Sequence, residues 1–168
     1  MVPQDGFLFD APIRDNVQYG RLGATAREVE TAFEELGLGA WVESLPEGLD
    51  TAAGERGESL SVGERQLVAL VRAQISEPGL LILDEATSSV DPGTERRITE
   101  ALRRLSQGRT VVTVAHRLST AEHADLVFVF DAGRLVEEGT HAELVIRGGR
   151  YAELYASWLG NTRKEARR

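Results

Sequence analysis

Two acidic side chains, Asp84 and Glu85, stand next to each other directly after the apolar run Leu80-Leu81-Ile82-Leu83, and His116 directly follows a second run, Thr110 to Ala115. In open α/β sheets ligands bind beyond the carboxyl ends of the strands, so polar residues at those ends are the first place to look for chemistry. A buried strand that delivers two adjacent carboxylates suits a nucleotide site. One carboxylate can hold Mg2+ through water while the next orients or deprotonates an attacking water. The same residues admit plainer roles, with Asp84 capping the turn that follows and His116 purely structural. A third element is Leu60-Ser61-Val62-Gly63-Glu64. Here Ser61 can cap a helix start whose N–H groups and positive dipole end face outward, and Gly63 lets a ligand approach the backbone closely, which together make an anion site. Its plainer reading is an ordinary capping box that contains a glycine. Glu64 opposes a bound phosphate unless it points away.

The surrounding pattern predicts the elements that must position these groups. Thr25 and Glu28 have capping-box spacing, and Val29, Ala32, Phe33 and Leu36 recur at helical intervals, which predicts an amphipathic helix ending at Gly37. A second helix is predicted from Ser61 toward Ser76, and Leu45 to Leu60, rich in Gly and Glu, reads as loop. From Pro78 onward, short runs apolar on both faces alternate with helical segments, as parallel strands of an α/β sheet do. Leu126 to Phe130 and Arg134 to Glu137, joined by Asp131-Ala132-Gly133, read as an antiparallel hairpin. Ala142 to Ile146 and Tyr151 to Trp158 read as terminal helices around a Gly148-Gly149 break.

Composition narrows the function classes. With 168 residues, 42% of them hydrophobic and 27% charged, the chain has the make-up of one globular domain. Its longest apolar runs are far shorter than the roughly 20 residues of a membrane-spanning helix, and the start MVPQDGFLFD lacks the pattern of a signal peptide. No cysteine is present, which excludes disulfides, thiolate metal sites and cysteine nucleophiles. The net charge is −8, and the tail from Arg163 to Arg168 holds four basic residues and one acid, so the body is more acidic still and a poor general binder of nucleic acid. Lys164 is the only lysine.

Gln4, LSVGERQ at 60–66, LLILDEATSSVD at 80–91 and VAHRLST at 114–120 occur in this order, and together the chain resembles the ATP-binding cassette domain of ABC transporters. The resemblance covers nearly the whole chain, and DEATSSVDPGTE, AHRLST and GRLVEEGTHAEL resemble exporter-type cassettes in particular. It implies an α/β fold: a partial P-loop NTPase core, a parallel sheet flanked by helices, joined to the family's helical subdomain. The implied organisation is one partial domain over 1–168, with the helical subdomain at 5–77, the core at 78–160 and a basic tail at 161–168.

The resemblance also assigns roles. Gln4 matches the Q-loop glutamine, which senses the γ-phosphate, Mg2+ and water. Leu60, Ser61, Val62, Gly63 and Glu64 match the signature motif, which binds the γ-phosphate of an ATP held by the opposite cassette. Asp84 matches the Walker B aspartate near Mg2+, Glu85 the catalytic base, Asp91 the D-loop aspartate at the dimer interface and His116 the H-loop switch. Gly54-Glu55-Arg56-Gly57 resembles the exporter loop that meets the coupling helices of the transmembrane domains. Val62 and Glu64 depart from the common LSGGQ, and Glu64 adds a charge. ATP and Mg2+ are the implied ligands. The implied partners are a second cassette and the transmembrane domains of an exporter, at the cytoplasmic face of the membrane, with no specific nucleic acid.

The phosphate-cradling loop GxxxxGK(S/T) should precede the Q-loop, and three residues precede Gln4. The expectation is therefore an exporter ATPase segment that begins after that loop, the alternative being a non-hydrolysing module that lends its signature to a partner cassette. A more distant relation is to chromosome-condensation and DNA-repair ATPases. In the family, the strand entering the phosphate loop lies between the strand before His116 and that at 126–130, so the chain is expected to show a gap in its sheet or direct pairing of these two. Two outcomes test the roles. The isolated chain should show no saturable micromolar Mg-ATP binding by calorimetry. In the full-length protein, Glu85→Gln should keep ATP binding but lose hydrolysis by a factor of about 10²–10⁴, the usual worth of a general base.

Overall fold

Capping decides where the helices of the first half begin. Thr25 accepts a hydrogen bond from the Glu28 N–H while the Glu28 carboxylate accepts one from the Thr25 N–H, and α2 (Ala26–Glu35) follows. Its Val29, Ala32 and Phe33 are buried, and Gly37, at φ +73°, takes the left-handed turn that ends it. Ser61 and Glu64 form the same reciprocal pair ahead of α4 (Val62–Ile75). Between these lies α3 (Gly39–Glu43), and ahead of both lies α1 (Ile13–Gln18), two short helices that the periodicity does not reveal. The predicted loop contains two single 3₁₀ turns, Gly48–Asp50 and Glu55–Gly57.

The computed structural model describes residues 7–84, 90–115 and 118–165. The chain divides into two units, Met1–Val114 and Ala115–Arg168. In the first, α1, α2 and α5 (Pro92–Ser106) all pack on α4, and Leu8, Ile13, Phe33, Leu67, Leu70 and Leu105 are among the fully buried side chains. Asn16, also buried, donates from Nδ2 to the carbonyls of Phe9, Ala11 and Pro12 and accepts the Phe9 N–H. Arg72 of α4 donates to the carbonyls of Phe7 and Asn16 and to Asn16 Oδ1 at 2.8–3.1 Å. The segment 7–16 is thereby fastened to α4.

Strand β1 (Leu80–Asp84) pairs in parallel with β2 (Thr110–Val114), Leu80 opposite Thr110 and Asp84 opposite Val114, and α5 connects them. This is the parallel α/β arrangement that the two-faced apolar runs predict. One face of the pair carries Leu81, which is buried against the helices, and the other carries Leu80, Ile82, Val112 and Val114, each 38–51% exposed.

In the second unit α6 (Leu118–Glu122) precedes an antiparallel hairpin of β3 (Val127–Asp131) and β4 (Arg134–Gly139). Among the described residues the strands form two two-stranded sheets, β1 with β2 and β3 with β4. Thr140 and Glu143 cap α7 (His141–Arg147), and Gly148 at φ +69° ends it. The Glu137 carboxylate then receives the Arg150 and Tyr151 N–H groups at the start of α8 (Arg150–Glu165). This helix continues past the predicted end at Trp158 into the basic tail, whose Arg, Lys and Glu residues are good helix formers.

The hairpin turn places Ala132 at φ +46° and Gly133 at φ +75°, the two left-handed positions of a type I′ turn. A side chain with a Cβ resists this region by roughly 1–2 kcal/mol, and Asn tolerates it better than Ala. Ala132→Asn should therefore stabilise the hairpin by about 0.5–1 kcal/mol, read as slower amide hydrogen exchange in β3 and β4; unchanged exchange would contradict the turn assignment.

Candidate functional site at the starts of α4 and α5

The start of α4 is built from a short polar circuit. The Glu64 N–H donates to Ser61 Oγ at 3.3 Å, the Ser61 N–H donates to Glu64 Oε2 at 2.9 Å, and the Trp41 indole N–H donates to Glu64 Oε1 at 3.3 Å. Trp41 is buried, and its ring lies 6.1 Å from that of Phe33. Burial raises the Glu64 proton affinity, but the hydrogen bonds from Ser61 and Trp41, with the positive charge of Arg97, outweigh it and hold the carboxyl below the usual glutamate range. Glu64 is therefore anchored on its own chain. Ser61 and Val62 are exposed, Leu60 is buried, and the helix's own carbonyls leave its first N–H groups without acceptors.

Gly63 has a packing role in the structure. A Cβ at this position would fall 2.5 Å from Thr94 Cγ2 and 2.7 Å from Val90 Cγ1, so the missing side chain lets the start of α5 lie against the start of α4. Asp91 caps α5, its Oδ1 accepting the N–H groups of Gly93 and Thr94, both at 3.0 Å. Hydrogen bonds from Thr94 hold the Asp91 carboxyl below its ordinary value. The signature residues and Asp91 are thus brought together by a glycine contact.

Asp84 ends β1 as an exposed carboxylate in register with Val114, two residues before His116 in the chain. Gln4, Glu85 and His116 lie outside the described residues. The hard oxygen donor of Asp84 fits Mg2+, which commonly takes one or two protein carboxylates and completes its shell with water and substrate phosphates. A dedicated cage is not needed, and no cluster of three His, Cys, Asp or Glu side chains suited to a metal occurs among the described residues.

The 54–57 loop is tied to the same helix. Gly54, Arg56 and Gly57 all have positive φ, and Arg65 of α4 donates from one guanidinium nitrogen to the carbonyls of Gly57 and Leu60 at 3.3 and 2.7 Å. Glu55, Arg56 and Glu58 are left exposed at its tip. Residue spacing did not single out Trp41, Thr94 or Arg97. Trp41 lies 23 residues from Glu64 and no periodic pattern links them. Only the departure of Glu64 from the common motif signals that a new partner is required.

A family model described as ABC transporter matches residues 1–88. The uncharacterized ABC transporter ATP-binding protein YfiC of Bacillus subtilis (strain 168) is 47% identical over 93% of this chain and 26% of its own length. The ATP-dependent lipid A-core flippase of Bordetella avium (strain 197N) is 48% identical over 92% of this chain and 26% of its own. A solved structure of a bacterial Atm1-family ABC exporter with ATP bound superposes with a TM-score of 0.80 at 44% identity, covering 93% of this chain and 27% of that one. The chain spans about a quarter of the length of the curated relatives it matches. No described helix is long and apolar enough to cross a membrane.

The lowered proton affinity of Glu64 gives a signed prediction. A carboxylate of this kind adds stability above its unfolded value, about 4.3, and loses that contribution as pH falls through its folded value. Glu64→Gln keeps the capping-box pattern without the charge. Urea midpoints of the parent and Glu64→Gln should therefore differ most near neutral pH and converge as pH falls progressively below the ordinary glutamate value of about 4.3. A difference that stays constant across that range would show that the charged hydrogen bonds contribute nothing.

Proposed function

We propose that this chain, which belongs to the ABC transporter family, couples the binding and hydrolysis of Mg-ATP to transport across a membrane as part of an exporter's ATP-binding cassette. The observation that carries this reading is the start of α4, where LSVGE presents the exposed Ser61 and Val62 at a helix N-terminus beside a carboxylate fixed by the Ser61 and Trp41 N–H groups. Such a start stabilises an anion through oriented N–H dipoles. In the proposed assembly that anion is the γ-phosphate of an ATP held by a second cassette.

The remaining roles follow from residue chemistry. Asp84 would hold Mg2+, which when bound would neutralise charge on the phosphates. Glu85 accepts a proton from the attacking water, and Gln4 and His116 address the γ-phosphate. Asp91 fixes the start of α5 against the signature and faces the second cassette. The exposed tip at 54–58, pinned to α4 by Arg65, meets the transmembrane domains. This reading divides the cassette portion into a helical part at 5–77, a core at 78–160 and a tail at 161–168, and places it at the cytoplasmic face of a membrane.

Ser61 serves both the fold and the ligand, so the test separates the two. In an assembled exporter containing this chain, Ser61→Ala should lower ATP hydrolysis by about 10²-fold, the scale of one lost transition-state donor, while costing about 1 kcal/mol of stability as a lost cap. Ser61→Asn keeps a good cap and should also lower hydrolysis, with the stability retained. Full hydrolysis in both variants would overturn the assignment.

A further inference from the structure

The signature carries a negative charge where the common motif has a neutral side chain, and the structure shows what becomes of that charge. Glu64 receives two N–H donors, one from its own turn and one from the buried Trp41, and both carboxylate oxygens are engaged. The Ser61 contact belongs to any capping box of this spacing. The Trp41 contact comes from α3, another element of the chain, and fixes the side chain from the buried side.

We propose that Trp41 is a positioning residue for phosphate recognition: its indole N–H takes up Glu64 Oε1 while the Ser61 N–H takes up Oε2, so that both oxygens are saturated by donors of this chain and the charge is fixed instead of free to swing toward an anion approaching Ser61 and Val62. The inference rests on the reading of α4 as a γ-phosphate site and adds to it the residue that makes glutamate tolerable there. Without the indole donor the carboxylate keeps only its bond within the helix turn. A flexible acidic side chain one turn from a phosphate then repels it, more strongly at low salt than at high.

Trp41→Phe isolates the point, since phenylalanine keeps an aromatic body beside Phe33 and removes the N–H. In the assembled exporter at low salt, Trp41→Phe should raise the KM for Mg-ATP by about tenfold, equivalent to about 1.4 kcal/mol, with kcat close to that of the parent. The shift should shrink with added salt and vanish in a Glu64→Gln background. No shift, or the same shift in that background, overturns the proposal, the latter because Trp41 would then act through packing alone. Ser61→Ala measured alongside keeps the two readings apart. If it leaves hydrolysis intact the phosphate site itself fails, and if it lowers hydrolysis while Trp41→Phe changes nothing, only the role of Trp41 falls. Should Trp41→Phe not assemble, the indole N–H resonance of Trp41 in this chain decides. It should move as Glu64 titrates in acid and stay fixed in Glu64→Gln, and an indole resonance indifferent to that titration overturns the proposal.

Discussion

Helix α4 has apolar residues at every position from 67 to 71, and Leu67, Val68, Leu70 and Val71 have no solvent exposure. Residues so placed point in several directions around a helix, and a helix of that kind is stable only when surrounded. Each such side chain contributes roughly 1.5–3 kcal/mol when buried, so the surrounding is energetically imposed. Helices α1, α2 and α5 supply it. Everything placed at the start of α4 inherits this rigidity: the Ser61 hydroxyl, the Gly63 contact with α5, and the loop held by Arg65. The site is exact because the helix beneath it has nowhere to go.

The polar residues of the site do structural work as well. Ser61, Glu64 and Asp91 each satisfy N–H groups that a helix start leaves open. The capping role of these residues and the ligand role proposed for them are therefore compatible. Gly63 shows the same economy, since its lack of a side chain serves helix packing.

Local signals in the sequence translate directly into structure. The Thr25–Glu28 and Ser61–Glu64 spacings become reciprocal caps, the Asp131-Ala132-Gly133 link becomes a tight turn, and the two apolar runs become parallel strands. The caps and the turn depend on neighbours within a few residues, and each strand shows in its own apolar run, which is why they can be read. The bonds from Trp41 to Glu64 and from Arg72 to Phe7 and Asn16 join residues far apart in the chain and leave no periodic trace. The short helices α1 and α3 are equally invisible, because tertiary packing and not helical propensity sustains five or six residues in that form. The apolar residues Leu80, Ile82, Val112 and Val114 announce a two-faced strand, and among the described residues they are 38–51% exposed.

The clamp at Arg72 has a mechanical meaning. Arg72 fastens one part of α4 to the backbone of residues 7–16, and Ser61 stands at the opposite end, eleven positions earlier in the sequence. At 1.5 Å per residue the two are separated by about 16 Å of nearly rigid rod. A tilt of about 4° pivoting at Arg72 displaces the Ser61 end by about 1 Å, which is the difference between a formed and a broken hydrogen bond. Because α1, α2 and α5 hold α4 against such a tilt, the clamp at Arg72 keeps the Ser61 end in fixed register with the segment 7–16.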